Sequence, residues 1–118
     1  MKISEAADRS GLSIDTIRFY ERSDLIPTIA RDASGIRRFS PENVEWLILL
    51  ASLRDTEMPM EKMRHFAELY RLGDSGISER RQVLRDHLDH LDRRRADLDR
   101  CAELLAYKLQ RYAELEEQ

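Results

Sequence analysis

The sequence of 118 residues is poor in cysteine, glycine and proline. The single cysteine, Cys101, excludes an intrachain disulfide and any zinc site built from four cysteines, so we expect the reducing cytoplasm. Four glycines and three prolines are too few for a turn-rich β-sandwich. No apolar run approaches the roughly 20 residues that span a bilayer, and the first residues lack the apolar core of a secretory signal.

The sequence also has little excess charge of either sign. It contains 20 Lys and Arg residues and 23 Asp and Glu residues, for a net charge of -3. Residues 1–40 hold seven basic and six acidic side chains, whereas the acids predominate in residues 41–118. This small basic bias is compatible with an anionic partner near the start of the chain. The positions of the arginines therefore carry more information than the total.

Capping residues and apolar spacing predict short helices. Ser4 is expected to cap a first helix that stops near Gly11, and Ser13 to cap a second helix with Ile14 and Ile17 on its inner face. Three residues separate these helices, which is the spacing of a helix-turn-helix.

The segment after the second helix has no helical period. It contains Asp32-Ala33-Ser34-Gly35, a turn sequence between two short extended runs, and this pattern predicts a small β-hairpin that we call the wing (residues 28–39). Ser40-Pro41-Glu42 is a strong helix start, and Pro59 begins a further helix. We expect a helical domain over residues 1–72 and a linker over residues 73–77.

Residues 78–118 contain neither glycine nor proline and are predicted to form one long helix. Apolar residues recur on it every seven positions, with a second row between them, which is typical of a coiled coil. A lone helix would leave this seam in water, so a second copy is expected. The expected dimer seam is Leu84, Leu88, Leu91, Leu98, Ala102, Leu105, Leu109 and Tyr112.

Side chains suited to phosphates and bases cluster on the second helix and the wing. Hydroxyls share one face of that helix, and guanidiniums flank it and follow both arms of the wing. The candidate DNA contacts are Ser13, Thr16, Arg18, Phe19, Tyr20, Arg22, Arg31, Arg37 and Arg38. The alternative is an ordinary amphipathic helix with its aromatics packed inward, beside a solvated surface hairpin.

Several linked motifs resemble the MerR family of bacterial transcriptional regulators. They are the opening Lys2-Ile3-Ser4-Glu5-Ala6-Ala7, the run Thr16-Ile17-Arg18-Phe19-Tyr20-Glu21-Arg22, and Gly35-Ile36-Arg37-Arg38-Phe39-Ser40. The resemblance is dense over residues 1–72, and the terminal helix fits as well. It implies a mostly helical protein with a winged helix-turn-helix and an antiparallel coiled-coil homodimer. Such dimers bend and untwist pseudo-palindromic promoter DNA so that RNA polymerase can use it.

Position by position, the resemblance places Thr16, Arg18 and Tyr20 on the recognition helix, and Arg37, Arg38 and Phe39 on the wing. Metal-sensing members resemble one another in cysteines that this sequence lacks, so no metal site and no cofactor are expected. Short members respond to aldehydes or electrophiles through a cysteine after the wing, where this sequence has none. Cys101 remains a candidate effector thiol, with a small buried hydrophobe as the alternative.

Two functions are therefore weighed. The first is a dimeric regulator that recognises promoter DNA, and the second is a coiled-coil adaptor that shares the fold without reading DNA. Clustered arginines favour the regulator, since an adaptor has no need of them. An enzyme is not expected, because the sequence contains no nucleophile–base pair at a recognisable spacing and no glycine-rich phosphate loop.

Overall fold

Five α-helices and one short 3-10 helix make up the computed structural model, which describes all of residues 1–118. The helices are α1 (Ile3–Ser10), α2 (Ile14–Arg22), α3 (Pro41–Asp55), α4 (Met60–Arg71) and α5 (Ile77–Glu116), and the 3-10 helix is Gly73–Gly76. The chain divides into two units, residues 1–83 and residues 84–118, which we describe separately. The predicted domain boundaries at residues 72 and 78 stay a prediction. No helix is long and apolar enough to cross a bilayer.

Serine caps at two of the three predicted positions are confirmed. The Ser13 hydroxyl accepts a hydrogen bond from the Thr16 amide, and Ser40 forms a reciprocal capping box with Asn43 at the start of α3. The cap predicted at Ser4 is wrong, because α1 begins at Ile3 and no side chain caps it.

The end of the wing explains the early start of α1. The amide of Phe39 donates to the Met1 carbonyl at 2.7 Å, and the Met1 ammonium donates to the Phe39 carbonyl at 2.8 Å. This pairing joins residues 38 positions apart. Because Met1 is fixed beside Phe39 and Lys2 is extended, the first helical turn follows at once.

The core of the 1–83 unit lies between α1, α2, α3 and α4. α1 packs against α2 and α3, and α3 packs against α4. The largest fully buried side chains come from α2, α3, α4 and the loops between them. They are Ile17, Tyr20, Leu25, Phe39, Leu47, Leu50 and Met63.

Two hydrogen bonds hold the loop that follows α2. The indole N–H of Trp46 in α3 donates to the Leu25 carbonyl at 2.8 Å, and Arg71 at the end of α4 donates to the Asp24 carbonyl. Trp46 is itself stacked on Phe66, with ring centroids 5.2 Å apart. The exit of α2 is therefore fixed by both helices that pack behind it.

The wing is shorter than the predicted hairpin. Its two arms meet in a single antiparallel bridge between Arg31 and Arg37, flanked by a 2.8 Å bond from the Arg38 amide to the Ala30 carbonyl. Gly35 has a φ of 80°, in the left-handed region that favours glycine. The turn was predicted correctly, but two regular strands do not form around it.

The 84–118 unit consists of the continuation of α5. Ion pairs one turn apart run along it, including Arg95 with Asp92 at 3.1 Å and Arg111 with Glu114 at 3.1 Å. None of the residues of α5 is buried. The prediction of one uninterrupted helix is confirmed, and its apolar row is left without a partner in the single chain.

Candidate nucleic-acid interface

The exposed face of α2 carries most of the predicted contacts on that helix. Ser13, Arg18 and Arg22 are exposed, Thr16 is half-buried, and the Phe19 ring is 40% exposed. The Ser13 hydroxyl also donates to the Thr16 hydroxyl at 2.8 Å, so the cap and one candidate contact are linked. These five side chains stay candidate DNA contacts.

Tyr20 is not on this face. Its side chain is 1% exposed and belongs to the core, whereas the sequence pattern predicted it beside Ser13 and Thr16. Tyr20 follows Ile17 by three residues, and positions three apart lie on the same side of a helix. The inward position is favoured because a phenol ring gains more by packing beside Ile17 than by remaining in water. The prediction of Tyr20 as a DNA contact is therefore wrong.

Each of the three wing arginines has a partner within the chain. Arg31 donates to the Gly35 carbonyl at 2.7 Å, and Arg38 pairs with Asp32 at 3.0 Å. Arg31 and Arg38 are exposed, and their remaining N–H groups place positive charge at the surface of the wing. The structure leaves both available as predicted contacts.

Asp32 organises the turn of the wing. Its carboxylate accepts the amides of Ser34 at 2.9 Å and Ile36 at 3.0 Å, and the guanidinium of Arg38 at 3.0 Å. These bonds stabilise the ionised form, with the amide of Ile36 the strongest influence, and they lower the pKa of Asp32 below its ordinary 3.8. The turn is therefore held by a charged group at neutral pH.

An ion pair connects the wing to α2. Nε of Arg37 lies 2.8 Å from Oε1 of Glu21, which is in the last turn of α2. The side chains are 30% and 24% exposed, so this ion pair between two elements is partly shielded from water. Arg37 is half-buried by this contact and is less accessible than the other two wing arginines.

Sequence reasoning missed the roles of Glu21 and Asp32. An aspartate two residues before a serine amide and three before a glycine is a familiar turn signal, so Asp32 could have been recognised as the organising group. Glu21 lies 16 residues before Arg37 in the sequence, and no periodic pattern relates them. Only the folded chain brings these two side chains together.

The predicted seam residues lie on α5. Leu84 and Leu91 are half-buried in the single chain, while Leu98, Leu105 and Leu109 are 64%, 60% and 70% exposed. The other three members, Leu88, Ala102 and Tyr112, are also exposed. An exposed apolar row of this kind is what an interaction surface requires, and the dimer seam stays a prediction.

Cys101 lies on α5, as do two of the three histidines, His87 and His90. Cys101 is a free, exposed cysteine in the single chain, so its predicted role as an effector thiol stays a prediction. The rings of His87 and His90 are 5.5 Å apart. No group of three or more His, Cys, Asp or Glu side chains in residues 1–118 has a geometry suited to a metal ion.

Two family models match the chain. The model described as MerR family regulatory protein matches residues 2–39, which include α1, α2 and the whole of the wing. The model described as MerR, DNA binding matches residues 44–107, which include most of α3, all of α4 and much of α5. Together they leave few residues of the helical framework unmatched.

Individual proteins are similar over nearly the same range. An uncharacterized helix-turn-helix transcriptional regulator of Haemophilus influenzae is 37% identical over 92% of this chain and 81% of its own length. The regulator AdhR of Bacillus subtilis is 32% identical, over 77% of this chain and 65% of its own length.

Solved structures agree with these sequence relatives. The crystal structure of HiNmlR, a MerR family regulator lacking the sensor domain and bound to promoter DNA, has a TM-score of 0.86. It is 34% identical in sequence and covers 99% of this chain and 93% of its own. A MerR family regulator from Bacillus thuringiensis has a TM-score of 0.82 at 25% identity, covering 94% of this chain and 97% of its own.

Proposed function

The chain is a DNA-binding transcriptional regulator of the MerR family, and from that premise we propose that it binds promoter DNA as a homodimer and bends and untwists the duplex. In this proposal α2 enters the major groove, and the wing follows the adjacent sugar-phosphate backbone. The solved relative bound to promoter DNA supports this proposal.

The observation that carries the proposal is the arrangement of arginines on the two elements. Arg18 and Arg22 are exposed on α2, and Arg31 and Arg38 are exposed on the wing. The ion pair of Arg37 with Glu21 joins these two elements. Guanidiniums on a helix and on a loop that are held together suit phosphates on either side of one groove.

Dimerisation is proposed through the α5 seam. Its exposed leucines recur at heptad spacing, and a second copy of α5 is the partner whose surface has the same period. An antiparallel arrangement is what the family resemblance implies. Deforming a duplex by tens of degrees costs on the order of 1–6 kcal/mol. Two DNA-binding heads coupled by a stiff helical pair can supply that energy, whereas one head with a single arginine cluster supplies less.

The net charge of -3 per chain predicts how binding depends on salt. Long-range attraction to DNA is weak for an acidic dimer, so affinity rests on the local arginines and the salt dependence is modest. Electrostatic steering from a distance contributes little, and sequence preference then depends on interactions made at close range.

A fluorescence anisotropy titration tests the proposal. A labelled duplex from upstream of its own gene is compared with a scrambled duplex of equal length, at several salt concentrations. We expect tighter binding to the promoter duplex and a loss of about tenfold for Arg18→Ala, because a charged hydrogen bond to DNA is removed. Arg9→Ala is the matched control, since Arg9 is an exposed arginine of α1 paired with Glu5.

The outcomes separate the two functions. Equal, salt-insensitive affinity for both duplexes, or equal losses for Arg18→Ala and Arg9→Ala, would contradict the regulator proposal. Self-association without any DNA binding would favour the adaptor instead.

A further inference from the structure

We propose that Glu21 is a positioning residue for DNA recognition, which strengthens binding by holding Arg37 and, through it, the wing against α2. This inference rests on the proposed DNA-binding function and assigns a role in it to an acidic residue. The consequence runs against simple electrostatics, in which loss of a negative charge strengthens binding to DNA. Removing a negative charge from the DNA-binding helix should weaken DNA binding.

The geometry of the pair supports this role. Nε of Arg37 lies 2.8 Å from Oε1 of Glu21, so the nearest approach of the ion pair is made through Nε and not through the terminal amino groups of Arg37. The carboxylate therefore occupies one edge of the guanidinium and leaves the other N–H groups for a phosphate oxygen. An arginine that is oriented in advance loses less conformational freedom when it binds.

The same ion pair fixes the distance between α2 and the wing. Arg37 forms the only bridge pair of the wing, with Arg31 on the other arm. An ion pair that fixes Arg37 therefore restrains both arms. On the other side, Glu21 lies in the last turn of α2, next to the exposed Arg22. The wing has no regular strands; it is held by this ion pair, by the pairing of Phe39 with Met1, and by the buried side chains of Ile29 and Phe39, and of these only the ion pair joins it to a side chain of α2 by charge.

Asp15 provides a contrast on the same helix. Its side chain is 97% exposed and lies 3.9 Å from Arg18, at the limit of an ion pair. An exposed carboxylate of this kind orders nothing and repels phosphates that come within a Debye length of roughly 10 Å. Replacing Asp15 by asparagine should therefore leave the affinity for DNA unchanged or increase it.

The experiment measures the dissociation constant for the promoter duplex with four variants. Glu21→Gln is expected to weaken binding about tenfold, as for the removal of one interaction with a charged group, while Asp15→Asn binds at least as well as the parent. Arg37→Gln is expected to weaken binding more. In the Glu21→Gln/Arg37→Gln double variant, the affinity should match that of Arg37→Gln alone, because the acid acts only through the arginine.

Salt dependence and hydrogen exchange separate positioning from direct binding of phosphate. Glu21→Gln should keep the parent's salt slope, whereas Arg37→Gln should reduce its magnitude by about 0.9 for each phosphate that the protein no longer neutralises. Without DNA, Glu21→Gln should accelerate exchange of the Arg38 amide, which is bonded to the Ala30 carbonyl across the wing. Circular dichroism of each variant at the same temperature verifies that the helices are retained.

Several results would overturn the inference. One is tighter DNA binding by Glu21→Gln than by the parent. Another is that Glu21→Gln weakens DNA binding by the same factor whether or not Arg37→Gln is present. A third is unchanged hydrogen exchange of the Arg38 amide in Glu21→Gln. A parent protein that does not prefer the promoter duplex would refute the proposed function instead. Hydrogen exchange of the wing would still decide whether Glu21 orders it.

Discussion

The substitution Leu105→Ala tests the dimer seam quantitatively. Leu105 is 60% exposed in the single chain and belongs to the heptad row of Leu84, Leu91, Leu98 and Tyr112. Burying a whole leucine side chain stabilises by about 1.5–3 kcal/mol, so covering this exposed part contributes about 1–2 kcal/mol. Each dimer contains two copies of the leucine, and the substitution should cost about 2–4 kcal/mol. The dimer dissociation constant should then rise about 30-fold to several hundredfold.

Sedimentation equilibrium over a range of concentrations measures this constant. Leu115→Ala is the matched control, because Leu115 is another exposed leucine of α5 but lies outside both heptad rows. Its effect should be much smaller. If both substitutions shift the dimer constant equally, or neither shifts it, then the heptad row is not the dimer interface.

Three further predictions concern the 1–83 unit. Trp46→Phe should lower the free energy of unfolding by about 1–3 kcal/mol in a urea titration, since the Leu25 carbonyl loses its 2.8 Å partner; an unchanged midpoint would contradict this. Gly76→Ala should lower the melting temperature, because its β-carbon would collide with the main chain of α4, and an unchanged melt would show that this approach is not tight. The amide of Ile36 helps to keep the Asp32 carboxyl ionised and lowers its pKa below 3.8. The wing should therefore stay folded above pH 3.8 and unfold as the pH falls through this lower folded-state pKa, which NMR of the wing amides can follow. Unfolding of the wing near neutral pH would refute this.

Local signals in the sequence were sufficient for most of the helical framework. Ser13 and Ser40 each precede a helix and accept an amide of its first turn, so the start of α2 and of α3 depends on residues within one turn. The long helix was equally predictable, because 38 residues without glycine or proline contain nothing that ends a helix before Leu115.

Interactions between distant residues account for what the sequence did not predict. Ser4 has the right chemistry for a cap, but the pairing of Met1 with Phe39 starts α1 earlier. Tyr20 combines an apolar ring with a hydroxyl, and burial of the ring decided in favour of the core although the hydroxyl has no hydrogen-bond partner there.

In the candidate site, too, some residues were predictable from local sequence and others depend on the tertiary fold. Arginines on α2 and the wing were found from residue type and local pattern alone. Their partners were not, because the ion pair between Glu21 and Arg37 depends on how the wing folds back on α2. Sequence patterns therefore indicate which groups are candidates for contacting DNA, and the tertiary structure identifies which groups hold them in place.

The central claim is that two chains joined through α5 present two arginine-bearing heads to one duplex. The most direct test is the mass of the complex with a promoter duplex, measured by sedimentation equilibrium at micromolar protein. We predict two chains of 13.9 kDa on each duplex, and a dimer when DNA is absent. A complex that contains a single chain of that mass, or a protein that remains a monomer in both samples, would contradict the account.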